Sequence, residues 1–196
     1  MTDDRPRRPH TGRRRNDAAR EAILDATFDL IYAGDTEVTI DAIAHKAGVG
    51  RQTIYRWWPS KGAVAAEALA ERARAFVPAP DTGSFGDDLT TFLADSFAAL
   101  QDANLTDALR RIAAAAQRDE HVAAVLSEFT AARRGALREL LERGQARGEL
   151  SPGTDLAMLT DMAYGVLWYR VLISRAPLDA ATAQSLARCL LAAGST

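Results

Sequence analysis

The 196-residue sequence contains one cysteine, Cys189, so it cannot form an internal disulfide or supply a thiolate cluster for zinc or iron. It has only three histidines, and no pair of them shows the spacing of a metal site. β-Branched aliphatic residues are also few, since seven Ile and eight Val stand against 40 Ala and 21 Leu. Such a composition favours helices over strands. We therefore expect an all-α protein without a metal centre.

Long apolar runs and catalytic motifs are missing too. No stretch reaches the roughly 20 uninterrupted apolar residues of a membrane-spanning helix, and the N-terminus lacks the apolar segment of a secretory signal. We find no nucleophile elbow and no phosphate-binding loop. The adjacent acids Asp87 and Asp88 are explained most simply as first-turn residues that complement a helix dipole. The sequence thus predicts a cytoplasmic protein that is not an enzyme, has no cofactor and binds no membrane.

The formal net charge of −2 conceals two basic segments. Residues 5–20 contain seven arginines and one aspartate, a net charge of +6. Residues 45–61 contain two lysines and two arginines without an acid, a net charge of +4, which leaves −12 for the rest of the chain. This asymmetry points to a polyanion bound near the N-terminus.

Apolar residues recur at intervals of three and four along most of the chain, which predicts about nine amphipathic helices. Residues 78–86, with two prolines and two glycines, form the clearest internal boundary. The first predicted helix ends near Gly34. The other eight span about 40–47, 51–58, 60–77, 87–102, 105–118, 119–147, 155–174 and 178–193.

The second and third helices have the signals of a helix-turn-helix. Thr39 stands at the N-cap of the second helix, and Gly48 can take the positive φ that ends it. After a short turn, residues 51–58 form a third helix that ends before a proline. On this helix Ile54 and Trp58 are four residues apart and face the core, which leaves an outward face for DNA. That face consists of Arg51, Gln52, Thr53, Tyr55 and Arg56.

The outward side chains are of the types that bind DNA. Arginine pairs with guanine through two hydrogen bonds and glutamine pairs with adenine, while threonine offers a methyl group and a hydroxyl. A tyrosine hydroxyl can bind a phosphate oxygen. Thr39 and Lys61 stand at the N-termini of the second and fourth helices, where backbone N–H groups also favour a phosphate.

The run VTIDAIAHKAGVGRQTIYRWWPSKGAVAAEAL, residues 38–69, resembles the DNA-binding domain of the TetR family of bacterial transcriptional regulators. The resemblance extends over residues 16–77. It implies that Thr39 caps the second helix at a phosphate and that Lys61 contacts the DNA backbone. It also implies base contacts by Arg51, Gln52 and Thr53, backbone contacts by Tyr55 and Trp57, and either role for Arg56.

Trp57 and Trp58 depart from the family pattern, because many members have a histidine and a phenylalanine at these two places. Trp57 is therefore either a backbone contact or a partly buried structural aromatic residue. The arginines of the arm over residues 1–15, among them Arg13, Arg14 and Arg15, are expected to contact the minor groove or phosphates, with an idle tail as the alternative.

The segments AQRDEHVAAVLSEF, ARGELSPGTD and LWYRVLISRAPLD resemble a regulatory domain of the same family, which we assign to residues 78–196. Aromatic and Met residues could line a ligand cavity there or form plain core; the candidates are Phe92, Phe97, Phe129, Met162 and Trp168. The resemblance implies a dimer interface formed by the last two helices, and the wide apolar face of the first of them agrees. The candidate interface residues are Met158, Val166, Tyr169, Ile173, Leu186 and Leu190.

These features together predict a homodimeric repressor that binds a pseudo-palindromic operator in double-stranded DNA and is released by a small-molecule effector. An architectural or effector-independent DNA-binding protein would share the basic segments but needs no cavity. An enzyme or carrier with a helix-turn-helix appendage would need a reactive constellation in residues 87–196, and none is visible there.

Overall fold

A computed structural model describes residues 11–33, 38–74 and 79–194. These residues form nine α-helices and one π-helical turn, with no strand among them, so the predicted all-α class is confirmed. The helices are α1 (Thr11–Tyr32), α2 (Ile40–Ala47), α3 (Arg51–Tyr55), α4 (Lys61–Arg74), α5 (Phe85–Ala98), α6 (Ala103–Ala115), α7 (Glu120–Ala146), α8 (Leu156–Tyr169) and α9 (Ala180–Gly194), and the π-helical turn Arg170–Ser174 continues α8.

The first helix begins earlier than the sequence predicts. Helix α1 starts at Thr11, so Arg13, Arg14 and Arg15 lie on helical backbone and the predicted flexible arm over 1–15 is too long. The reason is local, because no proline follows residue 9 in this stretch and arginine is a good helix former. Residues 1–10, the rest of the predicted arm, lie outside the described residues.

The caps of α2 lie where the sequence predicts them. The Thr39 hydroxyl accepts a hydrogen bond of 3.1 Å from the backbone N–H of Ala42. Gly48 ends the helix with φ of +65°, a conformation that side chains with a Cβ rarely adopt. Helix α2 is thus capped at both ends by the residues next to it in the sequence, and the turn into α3 is short.

Helix α3 is shorter than the predicted 51–58. It ends at Tyr55, and the backbone N–H groups of Trp57 and Trp58 both donate to the carbonyl of Ile54, each at 3.0 Å. The chain tightens into a turn there, because the residue before Pro59 is disfavoured in the α conformation. Trp58 nevertheless reaches the core as expected and is only 1% exposed.

Two hydrophobic clusters organise the chain. The N-terminal cluster joins α1–α4 through Ile23, Ile43, Ile54, Trp58 and Val64, and it also includes Ile112 of α6 and Val122 of α7. The C-terminal cluster joins α5, α7, α8 and α9. Helices α6 and α7 therefore pack against the helix-turn-helix part and connect it to the rest of the protein.

A buried carboxylate holds the start of α5. Asp88 accepts hydrogen bonds from the backbone N–H and the hydroxyl of Thr82, at 2.8 and 2.7 Å, and Arg147, the C-cap of α7, donates to it at 3.4 Å. Burial by itself would raise the pKa of Asp88, but these bonds and the Arg147 charge outweigh it and hold the pKa below 3.8. The charged group is thus satisfied and ties α5 to the C-terminal end of α7.

Candidate nucleic-acid interface and internal cavity

The outer face of α3 carries four exposed polar side chains, Arg51, Gln52, Tyr55 and Arg56, while Thr53 is half-buried. The helix is oriented by Ile54, which is fully buried in the N-terminal cluster. The structure therefore places the predicted outward residues on one accessible surface. We call Arg51, Gln52, Thr53, Tyr55 and Arg56 the α3 surface.

Arg51 forms an ion pair with Asp41 of α2. Its Nε and Nη2 donate to the two carboxylate oxygens of Asp41 in a side-on pair. These hydrogen bonds and the Asp41 charge raise the pKa of Arg51 above its ordinary value. A guanidinium bound through this edge keeps its other N–H donors, so Arg51 can pair with Asp41 and with another acceptor together.

Arg56 ends the α3 surface and lies against Trp57, the next residue. Arg56 Nη2 donates to Asn16 Oδ1 of α1 at 2.8 Å, and its guanidinium carbon lies 5.7 Å from the Trp57 ring centroid. The Trp57 ring meets the Trp58 ring edge-on, with centroids 5.4 Å apart. Trp57 is half-buried against the N-terminal cluster, so it has a packing role together with an accessible part.

Thr39 and Lys61 lie at the N-termini of α2 and α4, as predicted. The Thr39 side chain is half-buried and Lys61 is exposed. The Ser60 hydroxyl caps α4 by accepting from the backbone N–H of Ala63 at 3.1 Å. The side chains of Arg13, Arg14 and Arg15 lie outside the described residues.

Ser60 also joins the helix-turn-helix part to α7. Its hydroxyl donates to Asp119 Oδ2 at 2.8 Å, and Asp119 is itself the N-cap of α7. The Ser60 hydroxyl, together with the backbone N–H of Val122, lowers the pKa of Asp119 below 3.8. This hydrogen bond thus connects the N-terminus of α4 to the N-terminus of α7.

A cavity of about 490 Å³ lies between the two parts of the protein. One side is formed by Phe28 and Tyr32 of α1 and by α4, and the other sides by α5–α8. Its volume is in the range of small-molecule sites. The wall is mostly apolar and includes Leu69, Leu105, Leu126, Phe129, Leu167 and Trp168.

Two of the predicted cavity residues, Phe129 and Trp168, lie in this wall, and three do not. Phe92 and Phe97 are each 1% exposed and belong to the C-terminal cluster, while α5 contributes Asp95 and Ser96 to the wall. Met162 is 39% exposed and lies outside the wall, since the inward stripe of α8 runs through Tyr164, Leu167 and Trp168.

Sequence reasoning missed the polar part of the wall. Arg133 Nη2 donates to Ser96 Oγ at 2.8 Å, and the hydroxyl of Tyr164 donates to the Arg133 carbonyl at 2.8 Å. Burial raises the pKa of Tyr164, so this phenol is neutral at physiological pH. The sequence gives only a weak indication that Arg133 lines the cavity. Arg133 lies one turn after Phe129 on α7, but helical spacing alone does not show that the two side chains line the same cavity.

The outer face of α8 and its π-helical turn is apolar and accessible. Met158, Tyr169 and Ile173 are 55%, 57% and 70% exposed. The segment Leu156–Ser174 is long and apolar enough to cross a bilayer by composition alone, but its inner residues belong to the C-terminal cluster. Its hydropathy therefore reflects one face in the protein core and a second apolar face outside.

Three predicted interface residues face inward instead. Leu186 and Leu190 are buried in the C-terminal cluster of their own chain, and Val166 is half-buried against it. Helix α9 packs against α5 through its Ala183, Leu186, Ala187 and Leu190 stripe, so the opposite, small and polar face is accessible. The prediction that Leu186 and Leu190 are available to a partner is wrong.

Comparison with known proteins gives the same assignment over nearly the whole chain. Residues 23–73 match the family of bacterial regulatory proteins described as the tetR family, and residues 79–190 match the tetracyclin repressor-like C-terminal domain. The chain is 36% identical over 165 residues to the HTH-type transcriptional regulator YdeS of Bacillus subtilis (strain 168), covering 83% of each chain. It is also 36% identical over 157 residues to the regulator AqdR of Rhodococcus erythropolis, covering 77% of this chain and 75% of AqdR.

A solved structure shares the fold. The TetR family transcription regulator SCO0332 superposes with a TM-score of 0.78 at 29% identity, covering 89% of this chain and 97% of that one. The similarity therefore includes both the helix-turn-helix part and the C-terminal helices.

Proposed function

The chain belongs to the TetR family of bacterial regulatory proteins, and we propose that this member is a homodimeric repressor released from its operator by a small molecule. Its family places it among DNA-binding regulators of transcription rather than enzymes. The observation that carries the finer proposal is the cavity, because α1 and α4 of the helix-turn-helix part form one of its sides.

Release follows from this shared wall. A ligand in the cavity touches α4, which begins a short turn after the end of α3, and so it acts on the helix that follows the α3 surface along the chain. The Ser60–Asp119 hydrogen bond gives α4 a second connection to α7. If the ligand binds best to an arrangement in which the two α3 helices of the dimer no longer fit adjacent major grooves, the DNA-competent population falls in proportion to that differential affinity.

On the DNA side, we assign base contacts to Arg51, Gln52 and Thr53. Backbone contacts are assigned to Thr39, Tyr55, Trp57 and Lys61, and either role to Arg56. The exposure of Arg51 and Gln52 and the orientation of α3 by buried Ile54 support this assignment. The arginines of residues 5–20, among them Arg13, Arg14 and Arg15, are proposed to add phosphate or minor-groove contacts.

The dimer is proposed to form through the outer face of α8 and the accessible face of α9. Met158, Tyr169 and Ile173 supply an exposed apolar surface of the kind that a two-fold interface covers. The proposed division of the chain is a basic N-terminal segment, a DNA-binding domain up to residue 77 and a regulatory domain from residue 78. We also propose a cytoplasmic location, where a DNA-binding regulator meets its operator.

The test is operator release. Footprinting of the purified protein on the DNA flanking its gene is expected to reveal an inverted repeat, and compounds that raise the melting temperature of the protein are then selected from a small-molecule library. At least one of them should lower operator affinity in fluorescence anisotropy. If every stabilising compound leaves operator affinity unchanged, the protein is an effector-independent regulator, the alternative that needs no cavity.

A further inference from the structure

Among the described residues, one cation in the cavity wall, Arg133, has no carboxylate partner. Its Nη2 is bonded to the Ser96 hydroxyl, and its guanidinium carbon lies 5.1 Å from the ring centroid of Phe92. The next residue, Arg134, pairs with Asp161 at 2.5 Å, but within the described part of the chain no ion pair includes Arg133. Because Arg133 is half-buried, it has lost part of its hydration without gaining an opposite charge.

The other polar groups near Arg133 are neutral and already bonded. The Ser96 hydroxyl donates to the Phe92 carbonyl, and the Thr130 hydroxyl donates to the Leu126 carbonyl, both at 2.7 Å. The neutral Tyr164 hydroxyl donates to the Arg133 backbone. These groups orient the guanidinium but do not neutralise it.

The remaining charges of the wall differ from Arg133. Arg72 of α4 is paired with Asp25 at 3.1 Å, and its guanidinium carbon lies 5.0 Å from the ring centroid of Phe28. Asp95 is the only acid in the wall as described, and it is exposed and forms no ion pair with Arg133. Within the described part of the wall, Arg133 is therefore the one positive charge without a carboxylate partner, and the surface around it is mostly apolar.

We propose that the effector is an anionic amphiphile whose oxyanion is bound by the Arg133 guanidinium and whose apolar body lies along Leu126, Phe129, Leu167 and Trp168. A planar guanidinium with free N–H donors matches a carboxylate or phosphate through two parallel hydrogen bonds. The low polarity around Arg133 strengthens that pair relative to one in water. The inference rests on the ligand response proposed above and adds the chemical class of the ligand.

The first experiment needs no variant. Isothermal titration calorimetry measures the binding of dodecanoate, dodecyl phosphate, dodecanol and dodecyltrimethylammonium, which share one alkyl chain and differ in head-group charge. At least one of the two anions is expected to bind about tenfold or more tightly than dodecanol, the size of a charge-assisted hydrogen bond, and the cation more weakly than dodecanol. The stronger anion identifies the head group. Equal binding of anions and dodecanol, or no binding by either anion, overturns the proposal.

The second experiment locates the head group. Arg133→Gln should remove the preference for the anion over dodecanol, whereas Arg133→Lys should retain part of it. Arg134→Gln is the matched control, since it changes the adjacent arginine of the same helix outside the cavity wall and should keep the full preference. A preference that persists in Arg133→Gln overturns the assignment. If Arg133→Gln does not fold, the wild-type ligand series still decides the class.

Calorimetry and operator release separate this inference from the proposed function. If an anion binds through Arg133 but operator affinity does not change, release by this ligand fails while the ligand class is supported. If a compound from the library releases the operator and neither anion binds, the repressor proposal is supported and the ligand class is wrong.

Discussion

The carboxylate of Asp41 on α2 binds Arg51 on α3 through both of its oxygens, and both side chains are exposed. The pair restricts the rotamers of an arginine that is otherwise accessible, and it places a negative charge close to the proposed DNA contact. The two effects act in opposite directions on DNA binding. The restricted rotamers of Arg51 favour a specific base contact, whereas the negative charge of Asp41 weakens attraction to the DNA phosphates.

Asp41→Asn should therefore raise affinity for random-sequence DNA and lower the ratio of specific to non-specific affinity. The lost negative charge strengthens attraction to any phosphate backbone, whereas the lost ion pair frees Arg51 to adopt other rotamers. Fluorescence anisotropy with operator and scrambled duplexes at one salt concentration measures both quantities. A specificity ratio equal to that of the wild type would show that Asp41 does not position Arg51. Asp29→Asn, which removes the surface partner of Lys46, is the control.

Substitutions on the α3 surface should separate base contacts from backbone contacts. Arg51→Ala or Gln52→Ala should cost on the order of 1 to 3 kcal/mol and relax specificity at one base pair, because each removes a base-edge contact. Lys61→Ala should weaken binding to all sequences alike and reduce its salt dependence. A set of operators with single base-pair changes measures the difference. Uniform weakening by all three variants would contradict the assignment of bases to Arg51 and Gln52.

Gly144 of α7 should tolerate no side chain, because an added Cβ would lie 2.6 Å from Cδ2 of the buried Phe85 ring. Gly144→Ala should lower the free energy of unfolding by about 1 to 3 kcal/mol, the usual cost of overpacking. Gly135 lies on the same helix, and a Cβ added there would have nothing within 4 Å, so Gly135→Ala should stabilise the protein through helix propensity. The expected gain is up to about 1 kcal/mol. Urea denaturation compares the two, and the same sign for both variants would contradict the packing argument.

Acid should destabilise the protein partly through Asp88. Its pKa in the folded state lies below 3.8, so the unfolded chain takes up a proton at higher pH than the folded one. The stabilisation is present above 3.8 and is lost as the pH falls through the lower folded pKa. Urea denaturation above and below pH 3.8 measures the free energy of unfolding. As the pH falls, this free energy should decrease less for Asp88→Asn than for the wild type. Identical pH dependence would mean that other carboxylates, such as Asp119 and Glu149, account for the loss.

A charge on the outer face of α8 should disrupt the proposed dimer. Ile173 is 70% exposed in the single chain, so Ile173→Asp should leave the monomer folded while placing a charge in the interface. Sedimentation at micromolar concentration is expected to show a dimer for the wild type and a monomer for the variant. Operator affinity should fall with dimer loss, because both half-sites must be occupied together. A wild-type monomer at that concentration would refute the homodimer.

Several features of the protein are determined by short-range sequence signals. Thr39 and Gly48 close α2 where the sequence predicts, because an N-cap hydroxyl and a positive φ depend on residues a few positions apart. The i, i+4 spacing of Ile54 and Trp58 likewise places both in the core and turns the α3 surface outward. The all-α class follows from composition and helical periodicity.

The residues that line the cavity and the helix faces that stay accessible depend on contacts between distant helices, so only the tertiary structure determines them. Which aromatic residues line the cavity depends on the rotation of α5 and α8, so Phe92 and Phe97 are core while Trp168 lies in the wall. The same packing buries Leu186 and Leu190 against α5 and leaves Ile173 accessible. Periodicity shows that a helix has an apolar face, but the partner of that face is set by packing between residues far apart in the chain. The single cysteine excludes an internal disulfide by sequence alone. The pairing of Arg51 with Asp41, and the absence of a carboxylate partner for Arg133 among the described residues, depend on helices that meet only in the assembled fold.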